Sequence, residues 1–186
     1  TSATRGRVRR ALSIAAVALT AVSAAGTASA ATHRPASSVG RVCLFSAPGE
    51  PAPAGHVGWG YRWNDGSDKW DFGATLGQDS GWARNGSTRA MLDTFRTASD
   101  AGGYKFYRCV DTGGQNQDAA FRLMKSINGR HYNLAIDNCL TKSIRIFKAY
   151  DNSGRLNGLP AGKFTAPNDY FHETLDKAGW DAIHAL

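Results

Sequence analysis

The stretch from His56 to Gly77 constrains the fold more than any other in this chain. "HVGWGYRW" and "KWDFGATLG" are rich in aromatic and β-branched residues, and they flank "NDGSD", which holds an Asn-Asp-Gly turn signal. Runs of that composition suit a pleated surface, and the turn brings the second run back along the first, so the segment reads as a β-hairpin. The neighbouring elements follow from periodicity. "GRVCLFSA" reads as a strand closed by "PGEPAPAG", and "GQDSGWARNG" reads as a loop. "STRAMLDTFRTASDAGG" reads as a helix capped by Ser87 or Thr88, with Met91, Leu92 and Phe95 on one face and Gly102-Gly103 at its end. "YKFYRCV" alternates as a strand does, and "QNQDAAFRLMKSING" is helical with Gly129 as its stop. "DNCLTKSIRIFKAYDNSG" places Leu140, Ile144 and Phe147 at i, i+4 and i+7. "TAPNDYFHETLDKAG" reads as a last helix with Thr165 as cap and Pro167 in its first turn. Strand, hairpin, helix, strand and three helices predict an α+β domain: a small antiparallel sheet with helices packed against it.

The first 30 residues have the parts of a secretory signal peptide. Arg5, Arg7, Arg9 and Arg10 form a basic start, "ALSIAAVALTAVSAAG" an apolar middle, and Ala28-Ser29-Ala30 a small-x-small cleavage site. The apolar run is shorter than the roughly 20 residues that span a bilayer, so cleavage near Ala31 is expected rather than retention as an anchor. Residues 31–40 read as a flexible leader and 41–186 as a single domain. Of 22 basic and 15 acidic residues, four basic and no acidic ones lie in residues 1–30, leaving 18 against 15, a net charge of +3. That mild excess, with no lysine or arginine block, argues against nucleic acid as a partner. Nothing after residue 31 reaches transmembrane length, so the expected product is secreted, without stable membrane insertion.

Export decides how the cysteines read. Cys43, Cys109 and Cys139 are three, so one is left over in a monomer, either as a reactive thiol or for an intermolecular bridge. Cys139 follows Asp137-Asn138 at a helix start, where unpaired N–H groups and the helix dipole favour a thiolate and can hold an oxyanion. A buried or bridged cysteine is the structural alternative. His56 opens the hairpin after Gly55 and suits a base. His131, eight positions before Cys139, is its rival, while His33, His172 and His184 lie in the leader, the last helix and the chain end. Asp71, on the returning strand, suits an orienting carboxylate if hairpin register brings it to the face of His56, and is otherwise a solvent-facing edge residue.

"GHVGW" on one strand, "WDFGAT" on the next, and "YNLAIDNC" opening a helix far downstream resemble the circularly permuted papain-like superfamily, which includes NlpC-type cell-wall peptidases and the lecithin:retinol acyltransferase type. The resemblance covers roughly residues 40–150. It implies a papain-like arrangement with Cys139 as nucleophile, His56 as base and Asp71 in the orienting position, where the acyltransferase type often has histidine. The implied activity is a thiol-dependent hydrolase or acyltransferase acting on an amide or ester bond of a small peptide, cell-wall or acyl substrate. No Cys-x-x-Cys, His-x-x-x-His or Asp-x-Asp-x-Asp pattern appears, so neither metal nor other cofactor is expected.

Two other readings compete. Trp59, Trp63, Trp70 and Trp82 crowd one region with Tyr61, which suits either a glycan-binding face or a tryptophan-rich core. A disulfide-stabilised secreted protein such as an inhibitor would have Cys139 bridged.

Overall fold

The computed structural model describes residues 39–49, 53–128 and 130–186. The expected signal segment, nearly all of the leader and the Gly129 helix stop lie outside the described residues. The described chain is α+β. Strands β1 (Gly40–Ala47), β2 (His56–Arg62), β3 (Trp70–Gly77), β4 (Ser80–Gly86), β5 (Phe106–Thr112) and β6 (His184–Ala185) form one antiparallel sheet in the order β4-β3-β2-β1-β5-β6. The helices are α1 (Thr88–Thr97), α2 (Gln117–Ile127) and α3 (Cys139–Tyr150). Residues 167–177 form a fourth, α4, which is α-helical over Pro167–Asp169 and Leu175–Lys177 with a π turn over Tyr170–Thr174 between them.

The expected hairpin is β2–β3, with Gly58 opposite Ala74 and Tyr61 opposite Asp71. Two expectations are corrected. "GQDSGWARNG" is not a loop: it turns through Asp79, at φ 55°, into the edge strand β4. That strand is mostly exposed on both faces, so it carries no alternating hydrophobic signal to read. The last helix is flanked by Ala166, not capped by Thr165, and no side chain caps it.

Alternation along β2 sorts its side chains onto two faces. His56, Gly58 and Gly60 lie across from Ala47, Phe45 and Cys43, and this face carries α1 through Met91 and Phe95. Gly58 is required there, because a Cβ would come within 2.4 Å of the Phe95 ring. Val57, Trp59 and Tyr61 point the other way, into the larger core built with α2, α3 and α4. α3 is anchored in it by Leu140, Ile144, Phe147 and Tyr150, all essentially inaccessible. Side chains of that size each contribute roughly 1.5–3 kcal/mol on burial, so α3 is fixed in position by packing rather than by helix propensity.

Candidate active site

Local hydrogen bonds place Cys139 at the first position of α3. The Asn138 side chain accepts from the Thr141 amide (3.0 Å), and the Thr141 hydroxyl accepts from the Asn138 amide (2.8 Å), a reciprocal capping box. Ahead of it the chain makes a closed turn. Asn133 and Asp137 exchange backbone hydrogen bonds, the Asn133 side chain accepts from the Ala135 amide at 2.9 Å, and the Asn138 side-chain amide donates to the Leu134 carbonyl at 2.6 Å. Cys43 and Cys109 are bonded to each other, and Cys139 is the free thiol.

The Val57 N–H, the Tyr132 hydroxyl and the amides of Cys139 and Leu140 are the neighbouring groups that pull the Cys139 thiol pKa down. Each favours the thiolate, but burial raises the thiol pKa and prevails, since the residue is only 3% exposed. The expectation that the helix start leaves Cys139 ionised is therefore corrected. The resting group is a protonated thiol already surrounded by the donors a thiolate or an oxyanion needs.

The sulfur lies at the foot of a cavity of about 480 Å³. Ala54 and Gly55 form one wall, Tyr132 and Leu134 another, and Phe164 and Pro167 a third; among the described residues no charged side chain lines it. The second and third walls are tied by the Phe164 amide, which donates to the Ala135 carbonyl at 2.7 Å. Phe164 holds a φ of 58°, strained for so bulky a residue, and stands 82% exposed at the mouth beside Leu134 at 73%.

His56 and Asp71 are not gathered around the sulfur. The Val57 amide meets Cys139, so the His56 backbone is close to it. The His56 ring, however, takes the opposite face, edge-on to Tyr104 with centroids 6.1 Å apart. Burial lowers its pKa to about 4, only partly opposed by Asp100, so the imidazole is neutral at physiological pH, and among the described residues its Nε2 has no hydrogen-bond partner. Asp71 is a clear correction. It faces Tyr61, five residues along β2 from His56, which is about 17 Å at the usual strand rise, and on the face His56 avoids. There it is 93% buried; burial raises its pKa, while Trp63, Tyr61 and Gln117 oppose the rise. The carboxylate near His56 is instead Asp100, which accepts from the Tyr104 hydroxyl at 3.1 Å. His131 is exposed at φ 27° and its ring does not line the cavity. His172 is exposed on α4, and His184 on β6 stacks on Tyr107.

Two residues at the site were not singled out from the sequence. Tyr132 lines the same cavity as Cys139 from the loop before α3. Asn168, in α4, donates to the carbonyls of Pro53 (2.8 Å) and Pro48 (3.3 Å), while its amide donates to Ala54. It presses against Gly55, whose φ of +76° and lack of a Cβ permit the contact. Neither carries a local sequence signal, because each acts through a contact distant along the chain. The tryptophans form no open stacking face. Trp59 and Trp70 are core residues, Lys69 covers the ring of Trp63, and Arg84 covers that of Trp82.

No protein-family model, curated protein or solved structure matches the chain.

Proposed function

We propose that the chain is a secreted thiol-dependent hydrolase or acyltransferase that acts on an amide or ester bond, with Cys139 as its nucleophile. The observation that carries this reading is a single unbridged cysteine at a capped helix start, lining a groove of about 480 Å³. The Cys43–Cys109 disulfide supports an oxidising compartment.

In this reading the Cys139 sulfur attacks the substrate carbonyl carbon, its proton passes to His56, and the carbonyl π pair moves to oxygen. The Val57 and first-turn amides are the donors at hand for that oxyanion. The carbonyl re-forms as the bond to the leaving group breaks, and the leaving group takes the proton from His56. Water or another acceptor then resolves the thioester. A neutral His56 is able to accept the proton, but its ring must first leave the Tyr104 face. The order of histidine strand before cysteine helix supports the permuted papain-like arrangement; the position of Asp71 does not. The groove is large enough for a small ligand and its lining among the described residues is mostly apolar, which favours an apolar acyl group.

A second reading has a specific observation behind it. With the thiol protonated and the His56 ring on the far face, the groove would bind an apolar ligand without chemistry. p-Nitrophenyl esters of acetate, butyrate and octanoate separate the two. The catalytic reading expects p-nitrophenol release, an acyl adduct at Cys139 by intact mass and peptide mapping, and loss of both in Cys139→Ala. Equal turnover in Cys139→Ala, or no adduct with any ester, overturns it.

A further inference from the structure

The loop before α3 is held to the helix by a buried cation. Lys142 lies one turn after Cys139 and is 1% exposed, yet among the described residues it has no ion-pair partner. Its ammonium instead donates to the backbone carbonyls of Arg130 and of His131, the latter at 2.7 Å. Those carbonyls turn inward at the cost of a positive φ at His131, 27°, where a residue with a side chain is strained. The same ammonium lies 5.7 Å from the centre of the Tyr132 ring, within cation–π range. Tyr132 is thus gripped from below by Lys142 and from behind by the strained peptide, and it lines the groove alongside Cys139. A lysine whose donors are spent on one loop, inside the helix that presents the thiol, sets the distance between that loop and the sulfur.

We propose that Tyr132 is a catalytic residue of the Cys139 site, donating its hydroxyl to the reacting sulfur, and that Lys142 is the positioning residue that holds Tyr132 there. The proposal rests on the reading of Cys139 as a nucleophile. Removing the phenol hydroxyl takes a donor from the thiolate, and removing the ammonium releases the loop that carries the phenol, so both changes act on the same step. The other titratable groups near the sulfur are His56 and Tyr104 beneath the start of β2, and those around Lys142 are Asp137, Arg145 and His131. None of them changes in the variants below.

The test is the rate of alkylation of Cys139 by iodoacetamide, a small uncharged reagent, in the unreduced full chain between pH 6 and 10. Tyr132→Phe is expected to move the pH midpoint upward and slow the reaction about tenfold at neutral pH, the loss of one hydrogen bond to a charged group. The high-pH limiting rate should stay the same. Lys142→Met, close in volume, is expected to give a shift in the same direction, and the double variant no more than the larger single one. Near-UV circular dichroism confirms folding, and Tyr132→Phe alone suffices if Lys142→Met unfolds. A reactive Cys139 with an unmoved midpoint in Tyr132→Phe overturns the role of Tyr132. Strictly additive shifts overturn the role of Lys142. A parent Cys139 that does not react anywhere in this range overturns the nucleophile reading, and the proposal with it.

Discussion

On the α1 face of the sheet, Cys43 and Cys109 stand directly opposite each other on neighbouring strands and are bonded. On the other face, Cys139 stands alone at a helix start above an apolar groove. The first face is closed over its centre by aromatic packing, with a cavity of about 360 Å³ left beside Cys43 and Cys109: Phe45 stacks on Phe95 with centroids 3.7 Å apart, and Phe95 in turn meets Phe72, Trp82 and Tyr104. The second face is open at one end, where two loops meet over the sulfur. The contrast shows how one small domain keeps a staple and a thiol together. Thiol–disulfide exchange needs a thiolate to reach a disulfide sulfur, and here a hydrogen-bonded sheet separates them. Burial of Cys139, which keeps it protonated, works in the same direction.

If the faces are independent, they break separately. The largest effect belongs to the open face: Cys139→Ala should abolish acyl-adduct formation while leaving the urea midpoint within a small margin, measured by mass spectrometry and equilibrium unfolding. On the closed face, Cys43→Ala/Cys109→Ala should cost about 4 kcal/mol, the chain-entropy value for residues 66 apart, and leave the Cys139 alkylation rate unchanged. A changed rate would show that the two faces are coupled.

His56 sharpens the comparison, because its ring belongs to the closed face while its backbone borders the open one. Its folded pKa, about 4, lies below the usual 6.5, so the unfolded chain binds the proton more readily. The stability it contributes is full above pH 6.5 and is lost as pH falls toward 4, by at most about 3 kcal/mol. Asp71 has the opposite sign: its raised pKa gives a contribution that is present at low pH and fades as pH rises through the folded value. Urea midpoints between pH 7 and pH 4 should therefore fall in the parent and fall less in His56→Gln; parallel slopes would mean that the ring is solvated. The smallest effect is Gly58→Ala, which drives a methyl into the Phe95 ring and should cost about 1–3 kcal/mol, whereas Gly77→Ala, with open space around it, should cost little.

What the sequence made legible was local. The hairpin, the capped starts of α1 (Ser87 or Thr88) and α3 (Asp137 or Asn138) and the faces of α1, α2 and α3 all rest on signals within a few residues of one another; the structure selects Ser87 and Asn138. β4 was hidden because an exposed edge strand has no buried face to impose a period. The site divided along the same line. Cys139 at a capped helix start could be read directly, but its ionisation depended on burial by distant segments, and burial outweighed the dipole. Asp71 was placed by a register that no local signal fixes, and the observed pairing sends it to the far end of β2. Tyr132 and Asn168 gain their roles only when the chain closes around Ala54 and Gly55.

The wall at Phe164 bears on timing. The Phe164 amide ties to Ala135, and Asn168 ties to Ala54, Pro53 and Pro48, so one wall of the groove, Phe164 to Pro167, is supplied by a segment that follows β1–β5 and α3 in the chain. The cavity beside Cys139 is therefore complete only when residues 164–168 have packed against Ala135 and Ala54.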